Sequence, residues 1–248
     1  MGRYFMEIAY KGTRYAGFQK QKNALTVQQV IEDALSVLLK QPVPIMGSSR
    51  TDTGVHARKN VVHFDAADSL PEHLHYQLNA VLPHDIAVHT IYKVREKAHA
   101  RFSALSRKYE YVIYFQKNPF LKDFGYYFPY PLDMDALQAC ANLIPAYKDF
   151  RSFSKKRTQV KTFICHIQEA RWEKQEDRLI FHIRANRFLR GMVRGLVATQ
   201  LKVGRGKITI DDFRHIIESQ DHRLASFAVP PDGLYLCEVQ YGEDIFPT

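Results

Sequence analysis

Residues 3–10 (RYFMEIAY), apolar or aromatic except at Arg3 and Glu7, have the pattern of a strand. A glycine-containing connection, KGTRYAGFQKQKN, separates it from a run in which Val27, Val30, Ile31, Ala34, Leu35, Leu38 and Leu39 recur at helical spacing. Thr26 and Gln29 form a capping-box pattern at its start, so the spacing predicts a helix opening at Thr26 with one stripe facing the core. Pro42–Met46 predicts a short strand leading into the polar loop SSRTDTGVHA, and residues 60–65 (NVVHFD) a strand leaving it. A helix over Pro71–Leu82 and a strand over Ile86–Val94 follow.

A second series starts near Ser106. RKYEYVIYF (107–115) alternates as a half-buried strand does. Asp133–Ile144 is helical, with Ala136, Leu137, Cys140, Ala141 and Ile144 on one face. Residues 162–172 and 178–184 are predicted as paired strands across the turn KQED. Residues 187–203 predict a helix with Leu189, Met192, Val193, Leu196, Val197 and Leu201 buried, Asp211–Gln220 a short helix, and GLYLCEVQY (233–241) a closing strand. The order β-α-β-β-α-β thus occurs roughly twice. The expected fold is α+β: two ferredoxin-like (RRM-like) halves, 1–105 and 106–248, each with helices on one face of a mainly antiparallel sheet.

Charge adds a partner class to this picture. The 248 residues carry a formal net charge of +9, but the excess is concentrated: residues 151–207 hold 15 Lys and Arg against 4 Asp and Glu, and the remainder is close to balance. Such a footprint points to a polyanion more than to a solubilising surface. Apolar runs fall short of the ~18–20 residues of a membrane span. The N-terminus lacks the three regions of a signal peptide, and three widely spaced cysteines, Cys140, Cys165 and Cys237, form no CxxC pair. No membrane association and a reducing cytoplasm are therefore expected.

Candidate chemistry concentrates in GSSRTDTGVHARKNVVHFD (47–65), where strand, loop and strand bring Arg50, Asp52 and His56 to a sheet edge. An adjacent guanidinium favours the ionised form of a carboxylate, which suits Asp52 to act as nucleophile or base. Taken alone, the same residues also fit a plain turn in which Asp52 bonds its own backbone. His56 fits a structural histidine as well as a base, and His56, His63 and Asp52 lack the spacing of a metal site, so no metal is expected. Tyr109 alternates with Tyr111 as a packed aromatic would. Arg187, Arg190 and Arg194 recur at i, i+3 and i+7, a basic helix face. Lys155, Lys156 and Arg157 make a separate basic turn followed by Lys161.

SRTDTGVHA resembles the signature of the bacterial tRNA pseudouridine synthases of the TruA family. AYKGTRYAGFQKQ, TVQQVIEDAL, HARFSALSRKYEY, YKDFRSFSK, NRFLRGMVRGLV and VPPDGLYLCEVQY resemble further blocks of that family in the same order, along nearly the whole chain. The resemblance implies that Asp52 is the catalytic aspartate acting on the ribose of a target uridine. It implies that Tyr109 stacks on the base and helps move the C5 proton, and that Arg194 pairs with Asp52. It further implies that Arg50 helps flip the uridine and that Leu234 lines the base pocket. Arg187, Arg190, Lys155, Lys156 and Arg157 would track phosphates, with His56 in support. A homodimer, a tRNA substrate modified at positions 38–40 of the anticodon stem-loop, and no cofactor are implied too. A synthase acting on another RNA and a non-catalytic RNA-binding protein on the same scaffold are the alternatives. This chain departs from the family pattern at Ser49, Thr53 and Phe18, and at Gly191, Gly195 and Ala198 of the helix block. Two glycines within one helix cost about 1 kcal/mol each against alanine, which implies close approach of backbone or RNA there.

Overall fold

The computed structural model describes residues 1–155 and 160–247, and its chain clusters into two compact units, Met1–Arg107 with Tyr235–Thr248, and Lys108–Leu234. The fold is α+β, with mostly antiparallel strands and five α-helices among the described residues. None of those helices is long and apolar enough to cross a membrane.

In the first unit, β1 (Gly2–Tyr10), α1 (Val27–Leu39), β2 (Met46–Gly47), β3 (His56–Ala66), α2 (Leu74–Val81) and β4 (Ile86–Val94) follow one another. β1 lies between β3 and β4, antiparallel to both, from Gly2↔Ala66 and Arg3↔Val94 onward. The core holds Phe5, Met6 and Ile8 of β1 with Ile31 and Leu35 of α1, all fully buried. Thr26 caps α1 by accepting from the Gln29 amide at 3.3 Å, but the reciprocal half of the expected box is missing, because the Gln29 side chain donates to Asp33 instead.

The strand expected over Pro42–Met46 shrinks to β2. Glu32 of α1, nearly buried, accepts from the Ile45 amide at 3.1 Å, and Gln28 donates to the Ile45 carbonyl at 2.9 Å. Helix side chains thereby take the backbone groups that a strand would have used. β3 begins at His56, four residues earlier than predicted.

The second unit runs through the greater part of β5 (Ala104–Tyr114), then β6 (Tyr126–Tyr127), α3 (Met134–Leu143), β7 (Ile167–Gln175), β8 (Arg178–Ala185), α4 (Met192–Gly204) and α5 (Ile210–Ser219). Its strand order is β5-β8-β7, with β6 parallel on β5. The β7–β8 hairpin closes at Gln175↔Arg178, with Glu176 at a φ of 44° in the turn. Residues 162–166 are not strand; the Ile164 bridge to Asp149 and the Cys165 amide bond to the Lys148 carbonyl hold them instead. Trp172 of β7 donates from Nε1 to Gln200 Oε1 of α4 at 2.9 Å, fixing the helix to the sheet through a buried pair. The last strand, β9 (Leu234–Tyr241), joins the first unit's sheet beside β3 in parallel, through His56↔Tyr235 and Ala57↔Leu236.

The helix expected over 187–203 begins only at Met192. Gly191 stands before it with φ 74°, a conformation that ends any helical path arriving from Arg187. Arg187 and Arg190 therefore lie on an irregular segment and do not share a helical face with Arg194, so the basic helical stripe is not present. Gly195, the other glycine, is inside α4, where a Cβ would come within 2.8 Å of the Phe227 ring. The close approach that its absent side chain permits is thus filled by an aromatic side chain of the same unit.

Candidate active site

The hairpin connection between β2 and β3, residues 48–55, carries Arg50 and Asp52. Its base is closed by the pairs Met46↔His63 and Gly47↔Val62, and by the Ser48 amide donating to the Val61 carbonyl at 2.7 Å. Asn60, fully buried on β3, holds one side. Its Oδ1 accepts from Ser48 Oγ at 2.7 Å, while Nδ2 donates to the Ser49 carbonyl and to Tyr10 Oη, each at 3.3 Å. Tyr10 Oη is in turn 2.8 Å from Thr51 Oγ1.

The glycine-containing connection after β1 holds the other side. The Phe18 amide donates to the Thr51 carbonyl at 3.1 Å, and the Gly54 amide to the Tyr15 carbonyl at 3.4 Å. Only glycine allows this approach at two places. A Cβ at Gly12 would lie 2.0 Å from the Val55 carbonyl oxygen, and one at Gly17, whose φ is 87°, would lie 2.7 Å from that of Thr51. Within the loop the Val55 amide donates to the Asp52 carbonyl at 3.1 Å. Backbone on both sides of Asp52 is thus fixed, while its own side chain is half-buried and that of Arg50 is exposed.

His56 sits at the start of β3, 2 % exposed. Its Nδ1 accepts from the Gly12 amide at 3.0 Å, which leaves the ring proton on Nε2, and the ring stacks on Tyr235 at 4.7 Å between centroids. In this position His56 ties the same glycine connection to β3 and β9. The Arg58 guanidinium lies 4.9 Å over the Tyr235 ring.

The second unit gathers the other expected residues. Tyr109 is 9 % exposed on β5, and Phe188 meets its ring edge-on at 5.0 Å. Arg194, in the first turn of α4, donates from Nε and Nη2 to the Val229 carbonyl at 3.0 and 2.6 Å. Tyr111 Oη donates to the next carbonyl, that of Pro230, at 2.8 Å, and burial pushes its phenol well above the usual tyrosine range. These bonds anchor the segment that leads to Leu234, itself buried. Arg187 is half-buried and Arg190 exposed. The Lys155 amide donates to the Arg190 carbonyl at 3.0 Å, and the Lys155 stem runs over Gly191. The structure therefore joins Lys155 to the arginine segment, which the sequence spacing had kept apart. Lys156 and Arg157 lie outside the described residues.

A rigid loop presenting a carboxylate can deliver a nucleophile or a base to a fixed point without reorganising, the condition under which positioning lowers a barrier most. The residues that make it rigid, Tyr10, Gly12, Gly17 and Asn60, escaped the sequence reading. Two signals were present: the paired glycines in KGTRYAGF, and a polar Asn opening the apolar strand NVVHFD. Phe188 escaped too, and had no signal beyond being an aromatic between two arginines.

Comparison with known proteins gives this arrangement a family. A family model described as tRNA pseudouridine synthase matches residues 6–103 and 147–242. The protein named tRNA pseudouridine synthase A from Parabacteroides distasonis is 47% identical over 250 residues, covering 100% of this chain and 99% of that protein. Proteins of the same name from Porphyromonas gingivalis and Bacillus pumilus are 46% and 38% identical, covering 99% and 94% of this chain and 100% and 97% of their own lengths. The matched segments include the Asp52 loop, the glycine connection that clamps it, and the arginine segment with α4, and the chain belongs to the tRNA pseudouridine synthase family of the TruA type.

Proposed function

We propose that this chain isomerises uridine to pseudouridine in tRNA, at positions 38–40 of the anticodon stem-loop, with Asp52 as the group that acts on the ribose. The observation that carries the proposal is the Asp52 loop, clamped from both sides by buried hydrogen bonds and by glycines that leave no room for a side chain. The reaction breaks the C1′–N1 bond and joins C1′ to C5; N1 gains a hydrogen and the C5 hydrogen leaves to solvent. Atoms and electrons balance with no external reductant or energy source. A carboxylate has two routes, attack at C1′ or removal of the C2′ proton to form a glycal, and Asp52 suits both.

Chemistry on a stacked base requires taking the nucleotide out of its helix. Arg50, exposed on the loop, is suited to fill the gap. Tyr109 supplies a ring for the base and a phenol for the C5 proton, Leu234 an apolar wall, and Arg194 a cation. Arg187, Arg190, Lys155, Lys156 and Arg157 are suited to phosphates, so binding should weaken as salt rises. His56 supports the loop from behind. The halves 1–105 and 106–248 are each read as ferredoxin-like, and the working species as a cytoplasmic homodimer.

Tritium release from tRNA labelled with [5-³H]uridine tests the proposal. The wild type should release tritium, and Asp52→Asn should bind tRNA and release none; a silent wild type refutes the enzyme reading. Mapping pseudouridines in tRNA from a deletion strain tests the positions, and unchanged modification at 38–40 refutes that assignment.

A further inference from the structure

The turn His99–Ser103 in the first unit presents Phe102 to solvent, 76% exposed. A phenylalanine left in water forgoes the favourable burial of its ring, and on a mobile tip such exposure would carry little meaning. This turn is held at every residue. The Ser103 amide donates to the His99 carbonyl at 2.9 Å and the His99 amide to Ser103 Oγ at 3.0 Å. The Arg101 and Phe102 amides both donate to His99 Nδ1, at 3.1 and 3.3 Å, and the Ala100 amide to His63 Nδ1 at 3.1 Å. Tyr241 Oη donates to the Ala100 carbonyl at 2.6 Å.

The Phe102 ring also ends a column of aromatic rings that starts in the core. Phe5, His63, His99 and Phe102 succeed one another with centroid spacings of 6.3, 4.5 and 4.4 Å. Burial holds His63 down to about 4 and lowers His99 as well, so both imidazoles are uncharged rings at neutral pH. The turn is linked to the reactive loop through one atom. Nη2 of Arg107, a buried side chain, donates to the Arg101 carbonyl at 2.5 Å and to the Ser48 carbonyl at 3.3 Å. Two exposed arginines, Arg50 and Arg101, belong to the two loops so joined, and the Arg101 guanidinium is 5.6 Å from the Phe102 ring.

We propose that Phe102 is a stacking platform for an unpaired nucleobase of the substrate RNA other than the reacting uridine, with Arg101 on an adjacent phosphate. A rigid aromatic with guanidinium groups beside it matches the two demands of single-stranded RNA, a flat apolar face and a polyanionic backbone. The same charges disfavour a basic partner such as a second copy of this chain. The inference rests on the tRNA reading above and deepens it by naming a second point of contact.

Fluorescence titration of anticodon stem-loop RNA, at several salt concentrations and alongside steady-state kinetics, tests it. Phe102→Ala should raise Kd about five- to hundredfold, with the salt slope unchanged and kcat at saturating RNA near wild type. Phe102→Trp should stay within about threefold of wild type, and Phe102→Leu should resemble the alanine variant, because stacking needs a ring where packing needs only volume. Arg101→Ala should lower the salt slope by about 1. An abasic nucleotide at the stacked position should weaken the wild type and leave Phe102→Ala unaffected. Unaltered affinity in Phe102→Ala, or a leucine variant that binds as the wild type does, overturns the proposal. So does a change in mass by light scattering with RNA affinity intact, which assigns Phe102 to self-association. A wild type that makes no pseudouridine but binds RNA through Phe102 refutes the enzyme reading and leaves the platform standing.

Discussion

Replacing Gly17 by alanine should damage activity far beyond its effect on stability. At φ 87° any L-residue is strained, by about 1–2 kcal/mol. The new methyl would also stand 2.7 Å from the Thr51 carbonyl oxygen and 3.2 Å from the Asp52 carbonyl carbon, both backbone atoms that no rotamer change can move away. To reach ordinary contact the carbonyl must retreat by roughly half an ångström, which breaks or stretches the bond from the Phe18 amide, another 0.5–1.5 kcal/mol or so. The total, about 1.5–3.5 kcal/mol, should be visible as a lowered urea midpoint. A displaced Asp52 backbone then costs turnover, on the order of a hundredfold for an ångström of misplacement. Gly206→Ala is the internal control, since Gly206 has φ 65° but nothing within 4 Å of its missing Cβ. It should show the backbone strain alone and keep its kcat. Tritium release per folded enzyme, compared between the two variants, decides the matter. Equal kcat in Gly17→Ala and Gly206→Ala would refute the view that the glycine connection positions Asp52.

Tyr10→Phe removes the hydroxyl shared by Thr51 and Asn60 and leaves two buried polar groups short of a partner; stability should fall by about 1–3 kcal/mol and kcat by about tenfold, read by urea unfolding and tritium release. Acid should destabilise the first unit before carboxylates titrate. His63 is held neutral when folded, at about 4, while its unfolded form takes up a proton near 6.5, so its contribution is complete above 6.5 and is lost as pH falls toward 4. The loss should be about 1–3 kcal/mol, and His63→Asn, which keeps an acceptor for the Ala100 amide, should flatten the fall in unfolding free energy between pH 6.5 and 4.5. An unchanged pH slope in that variant would show that another group carries the effect.

Elements whose signal is local were legible in the sequence. β1 and β4 form where strands were expected, and α1 and α3 follow from helical spacing, because the apolar face of such a helix is written residue by residue. The TruA-type blocks then supplied Asp52 with a role that its short loop alone did not. What escaped depends on which partner meets a segment in space. Ile45 pairs with Glu32 and Gln28 of α1, so the expected strand reduces to two residues. The helix predicted from Arg187 starts at Met192, because Gly191 takes a left-handed conformation under the Lys155 stem and only then does α4 find its core.

Apolar periodicity and ordered blocks therefore determined the α+β fold class and the family, and singled out Asp52 as the candidate residue. Tertiary structure alone decided how that residue is held. Asn60, Tyr10, Gly12 and Gly17 meet the Asp52 loop from segments up to about forty residues away, as the 41-residue separation of Tyr10 and Thr51 illustrates. It also decided that β9, last in the chain, returns to pair with β3 in the first unit. A hydrogen bond or a missing methyl acts through distance in space, and no period along the chain encodes it.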